Sequence, residues 1–119
     1  MILRSVPTAT SNRVVIHNGI LYLGGLGAPD RSQDVYGQSK QILERIDGFL
    51  QEAGSSKDEL LRATIYISDF ALKDEMNRAW NEWLTQEQKP ARATITVGDM
   101  GDNLLVEIEV SAAIEALGA

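Results

Sequence analysis

Leu104-Leu105-Val106-Glu107-Ile108-Glu109-Val110-Ser111-Ala112-Ala113 reads as a strand with two unlike faces. Side chains alternate along a strand, so Leu104, Val106, Ile108 and Val110 share one side while Leu105, Glu107, Glu109 and Ser111 share the other. The first side is wholly apolar and must be covered; the second carries two acids and suits a face that stays open or meets a partly polar partner.

The preceding run, Pro90-Ala91-Arg92-Ala93-Thr94-Ile95-Thr96-Val97, alternates in the same way. Arg92, Thr94 and Thr96 fall on one face, and Ala93, Ile95 and Val97 on the other. Pro90 suits the first residue of a strand. The turn-forming segment Gly98-Asp99-Met100-Gly101-Asp102-Asn103 separates the two runs and predicts a hairpin. Equal-length pairing then sets Thr94 opposite Glu107 and Arg92 opposite Glu109, which gathers a guanidinium, two carboxylates and hydroxyls on one patch. An arginine among small residues is well shaped to grip a carboxylate bidentately; the structural alternative is a cross-strand ion pair with Glu107 or Glu109.

Working back toward the N-terminus, the stripe Met76, Ala79, Trp80, Trp83 and Leu84 marks a helix over about 72–85, and its tryptophans at helical spacing read as core. Leu60 to Ser68 is a strand rich in Ile, Thr and Tyr, with Asp69 after it as a helix N-cap. Val35, Ser39, Ile42, Leu43, Ile46, Phe49, Leu50 and Ala53 recur at three- and four-residue intervals, the buried face of a helix that Gly54 stops. Arg13 to His17 and Ile20 to Leu26 flank Asn18-Gly19, the strongest short-range hairpin signal. Gly24-Gly25-Leu26-Gly27 then interrupts the pattern and allows close approach of a ligand or another strand. The resulting order is β-β-α-β-α-β-β, an α+β chain with two helices on one face of a mixed sheet. The other face, mixing Thr, Glu, Arg and Leu, predicts a homo-oligomer.

Composition narrows the function. The 119 residues suit one domain over 1–119 with enough apolar content for a core, and the short tails are expected to fray. A net charge of −6 without a Lys/Arg stripe argues against nucleic acid as a partner. Cysteine is absent, which excludes disulfides and thiol nucleophiles and is compatible with a cytoplasmic location. No run approaches membrane-spanning length, and no leader peptide is evident at Met1-Ile2-Leu3-Arg4. The single histidine, His17, sits beside a turn and is given no catalytic role, and no carboxylate spacing suggests a metal. Phosphate-binding glycine motifs are absent, so no cofactor is expected.

Taken together, His17-Asn18-Gly19 with Ile20-Leu21-Tyr22-Leu23, Ala53-Gly54 before a strand, Met76-Asn77, Pro90-Ala91-Arg92 and Val106-Glu107-Ile108-Glu109-Val110 make the chain resemble the RidA (YjgF/YER057c/UK114) family over residues 10 to 114. The resemblance implies a chorismate-mutase-like fold, a homotrimer with ligand sites in the clefts between subunits, and cofactor-independent hydrolysis of reactive enamines and imines to 2-oxo acids and ammonia. It gives Arg92 the role of binding the substrate carboxylate and Glu107 that of holding the attacking water. Thr94, Gly24 and Gly25 would line the substrate, while Glu109 and Asn77 would be structural. Two segments depart from the family pattern. Thr10-Ser11-Asn12-Arg13 stands where relatives carry Gly-Pro-Tyr-Ser-Gln, and Gly24-Gly25-Leu26 replaces Ser-Gly-Gln. The alternative function is therefore a trimeric, non-catalytic binder or sensor of small carboxylates.

Overall fold

The computed structural model describes residues 1–114. Six strands form one sheet: β1 (Leu3–Pro7), β2 (Asn12–His17), β3 (Ile20–Gly27), β4 (Leu60–Ile67), β5 (Ala91–Thr96) and β6 (Val106–Ala113). Two helices, α1 (Val35–Glu52) and α2 (Lys73–Trp83), complete it. The overall extents are 45 × 36 × 20 Å. Twenty ångströms is the thickness of one sheet plus one layer of helices, so the sheet has a second face that none of the described residues covers.

The local reasons for these elements are direct. Asn18 and Gly19 both take positive φ, 51° and 76°, the geometry of a type I′ turn whose twist matches the strands it joins. Asp34 caps α1 by accepting from the Gly37 N–H at 2.8 Å. Helix α1 ends at Ala53, followed by Gly54 at φ 83°. Asp69 does cap a helical turn, a 3₁₀ turn over Phe70–Leu72 that leads into α2.

The sheet order is β1-β2-β3-β6-β4-β5. Strand β6 runs antiparallel between β3 and β4, where Val106, Ile108, Val110 and Ala112 are all buried. They meet Leu21, Leu23 and Leu26 of β3, Ala63, Ile65 and Ile67 of β4, Ile42, Ile46 and Leu50 of α1, and Met76, Ala79 and Trp80 of α2 in one core. Each such large side chain contributes about 1.5–3 kcal/mol on leaving water.

Two expectations are corrected. The final hairpin does not form: β5 lies at the sheet edge, parallel to β4, with Arg92 beside Ala63 and Thr94 beside Ile65. The acids pair instead with β4, Glu107 opposite Tyr66 and Glu109 opposite Thr64. A strand with a wholly apolar side is best placed centrally, where helices cover it, and the long connection from Thr96 to Val106 has room to reach across β4. Second, the N-terminus does not fray but adds a strand, β1, paired antiparallel with β2 from Leu3↔Ile16 to Pro7↔Asn12.

Two polar residues of α1, Gln38 and Ser39, lie inside the core. Gln38 of α1 is fully buried; its Nε2 donates to the carbonyls of Gln33 at 3.0 Å and Asn103 at 2.9 Å, and its Oε1 accepts from the Leu105 N–H at 3.0 Å. It ties the loop after β3 to the loop before β6.

Candidate functional site

Residues paired across neighbouring strands point to the same face, so the register fixes which side each candidate serves. Arg92 and Thr94 align with Ala63 and Ile65, which are fully buried beneath the helices. They therefore belong to the helix-covered face, at its β5 edge. Glu107 and Glu109 align with Tyr66 and Thr64 on the open face. The patch expected to hold Arg92 with Glu107 and Glu109 does not exist within one chain: the sheet stands between the guanidinium and the carboxylates.

On the helix side, Arg92 lines a recess of about 400 Å³ with Asn77, Trp80, Asn81, Gln86, Lys89 and Pro90. Its guanidinium carbon sits 5.4 Å from the Trp80 ring centroid, a cation–π distance. Burial pulls the Arg92 guanidinium below its ordinary pKa, which records a cation partly stripped of water. Among the described residues the only ion pairs of Lys or Arg with carboxylates are those of Arg78 with Glu75 and Glu82, so Arg92 has no acid of its own. The structural alternative, a cross-strand pair with Glu107 or Glu109, is thus corrected. Among the described residues three buried side-chain oxygens lack a hydrogen-bond partner, Ser39 Oγ of α1 and, nearer Arg92 in sequence or in the recess, Asn77 Oδ1 and Thr94 Oγ1. Asn77, expected to be structural, shares the recess with Arg92.

On the other side, the strand pairing of β3 with β6 shifts register between Leu23 and Leu26, and Gly24-Gly25 occupies the irregularity. A Cβ on Gly25 would come within 3.1 Å of Glu107 Cδ and Oε1, so glycine is what lets the backbone lie against that carboxylate. Gly24 is exposed, and a Cβ there would sit 3.7 Å from the Arg13 carbonyl oxygen. Glu107 and Gly25 line a recess of about 500 Å³ with Arg13, Gly27, Arg31 and Arg45. The three arginines come from β2, the loop after β3, and α1, and nothing in their spacing announced them. Glu109 is engaged elsewhere: its Oε1 accepts from the Tyr66 hydroxyl at 2.9 Å, and that bond, with burial and the charges of Glu109 and Glu107, raises the tyrosine's pKa. His17 Nδ1 lies 3.1 Å from the Met1 carbonyl oxygen, away from both recesses.

Thr10, in the segment that departs from the family pattern, lies in the exposed β1–β2 turn, its N–H donating to Thr8 Oγ1 at 3.3 Å. Among the described residues there is no cluster of His, Asp and Glu able to hold a metal, and no helix is long and apolar enough to cross a membrane.

Chemically, the arrangement offers a half-buried guanidinium without an acid partner on one face and a carboxylate beside a glycine backbone on the other. Comparison with known proteins gives this arrangement a setting. The sequence model of the family described as Endoribonuclease L-PSP matches residues 2–114. A RutC family protein of Haemophilus ducreyi is 40% identical, the alignment covering 96% of this chain and 97% of that one. The fold matches the crystal structure of a YjgF-family protein from Neisseria meningitidis with a TM-score of 0.91 at 29% identity, over 98% of this chain and 97% of that one. It also matches a member of the conserved Rid protein family from Yersinia pestis, at a TM-score of 0.82 and 31% identity, over 91% and 90% of the respective chains.

Proposed function

The chain belongs to the RutC/YjgF (Rid) family, and from that premise we propose that it is a cofactor-independent deaminase that hydrolyses reactive 2-imino and enamine acids to 2-oxo acids and ammonia. The observation that carries the proposal is Arg92: a half-buried guanidinium facing a recess without a carboxylate of its own. Such a cation is a ready-made fork for the substrate's carboxylate. Asn77 and Thr94, each with a buried oxygen unpartnered, supply polar lining beside it.

Arg92 and Glu107 leave opposite faces of the sheet, so the two act on one substrate only if they come from different copies of the chain. The proposed assembly is a homotrimer. In it the open face and β5 edge of neighbouring subunits meet, and Arg92 of one subunit faces Glu107 and the Gly24-Gly25 segment of the next. Tyr22, Ile95 and Val97, exposed large side chains on the open face, suit such burial.

The reaction asks little of the protein. Protonated imine carbon is already electrophilic; an enamine reaches that state by taking a proton on carbon. Glu107 accepts a hydrogen bond from a water and aims its lone pair at that carbon, while Arg92 fixes the carboxylate. Addition forms the C–O bond, a proton passes from oxygen to nitrogen, and the C–N bond breaks to release ammonia and leave the 2-oxo acid.

The test is imine generated in situ by an amino-acid oxidase, its disappearance followed with and without the protein. Acceleration is expected, and Arg92→Ala should reduce kcat/KM by about 10–100-fold, the loss of one charge-assisted clamp. No acceleration with any amino acid tried would overturn the proposal. The second reading, a trimeric binder of small carboxylates without turnover, is favoured by Thr10-Ser11-Asn12-Arg13, a segment without an aromatic residue where the family pattern has a tyrosine. Saturable 2-oxo-acid binding without imine loss would select it. RNA cleavage, the activity in the matching family's description, is disfavoured by the net charge of −6.

A further inference from the structure

The recess beside Glu107 contains more positive charge than the proposed water-holding role uses. Arg13, Arg31 and Arg45 converge there on a single acid, Glu107, in a chain whose net charge is −6. None of the three has a carboxylate within 4.0 Å among the described residues, where Arg78 alone forms ion pairs. Two of the three are anchored. Arg45 Nη1 donates to the Gly27 carbonyl at 2.8 Å, and Arg31 Nε donates to the Ala28 carbonyl at 3.4 Å, so each head is braced by backbone with other N–H groups left over. Burial, and then the charge of Arg13, lowers the pKa of Arg45. Gly27 itself packs closely: a Cβ there would come within 2.9 Å of Leu104 Cδ1 and lie 3.8 Å from Arg31 Nη2. Holding like charges together costs free energy that an anion recovers.

We propose that Arg13, Arg31 and Arg45 form a second carboxylate subsite, so that the preferred substrate is the imine of an acidic amino acid, bound by Arg92 at one carboxylate and by this cluster at the other. The inference rests on the function proposed above. It adds the substrate class: a dicarboxylate whose reacting carbon lies between two cationic anchors, with Glu107 next to the second. Arg13 itself belongs to Thr10-Ser11-Asn12-Arg13, one of the two segments that depart from the family pattern.

The experiment compares the binding of 2-oxoglutarate with that of 5-methyl-2-oxohexanoate, close to it in size but lacking the second charge, by isothermal titration of the full chain. At least a ten-fold preference for the diacid is expected, and Arg13→Gln and Arg45→Met should each cut that ratio several-fold. Arg92→Ala should weaken both ligands alike. Arg45 braces Gly27, so Arg13→Gln, which breaks no such bond, is the variant that separates charge from folding. Equal affinity for diacid and monoacid, absence of binding by either, or an unchanged ratio in Arg13→Gln overturns the inference. So does a variant that alters the oligomeric state in sedimentation while leaving the ratio intact, because the arginines would then serve acids of another copy. Imine hydrolysis measured alongside keeps the two ideas apart. Turnover with neutral and acidic imines alike sinks the diacid subsite only, whereas diacid preference in binding without any turnover sinks the deaminase reading only.

Discussion

Replacing Gln38 by leucine tests how the two recess-forming loops are held. The side chain is fully buried, and leucine has a similar volume, so the change removes hydrogen bonds without opening a large hole. The Leu105 N–H loses its acceptor, and the carbonyls of Gln33 and Asn103 lose their donors. The Arg31 carbonyl, which Gln38 reaches at 3.4 Å, still receives the Asn103 amide. Three orphaned backbone groups at about 1–2 kcal/mol each, less about 1–2 kcal/mol gained by burying the apolar replacement, leave a loss of about 1–5 kcal/mol. For a domain of this size that corresponds to a melting temperature lower by roughly 4–20 °C, read by calorimetry or circular dichroism. Amide exchange supplies a local check, since the Leu105 N–H should exchange far faster in the variant. A melting temperature within about 2 °C of the parent would refute the reasoning, because it would mean that Gln38 does not satisfy these groups at any net benefit.

Further outcomes follow from the site. Gly25→Ala places a methyl group 3.1 Å from Glu107 Cδ and Oε1, so the carboxylate must shift; kcat for imine hydrolysis should fall about ten-fold with little change in melting temperature, and full activity would refute the close-approach role. Tyr66 holds its proton more tightly because it donates to Glu109. A raised folded pKa gives stability that is complete below the unfolded value of 10.0 and is lost as pH climbs through the folded one. Glu109→Gln should therefore lower the tyrosine's titration midpoint, measured by alkaline difference absorbance, and an unmoved curve would show that Glu109 is not the cause.

Much of the architecture was legible because it follows from local rules. Asn18-Gly19 specifies its turn through two positive φ values, Asp34 marks the start of α1, and the alternation around Ile108 demands a covered side and an open side. What escaped depends on distant partners. Alternation assigned Arg92 and Glu107 to faces of their own strands, but not to the same or opposite faces of the sheet; that was decided by β6 inserting between β3 and β4 and by the parallel β4–β5 crossover. Strand β1 is exposed at every residue, so no apolar rhythm announced it; its order comes from the ladder to β2. Gln38 falls within an apolar stripe and reads as an exception until the loops it bridges are in place. The arginines at 13, 31 and 45 belong to three separate elements and become neighbours only on folding.

The sheet standing between Arg92 and Glu107 has a consequence for inheritance. If one substrate needs both, a chain damaged at either position still lends its intact residue to a neighbour. Two defective alleles expressed together would then rebuild working sites at about a quarter of the contacts in randomly mixed assemblies. The unit on which selection acts is thus the junction between two chains, and a lesion on one face of the sheet is complemented by a chain whose lesion lies on the other.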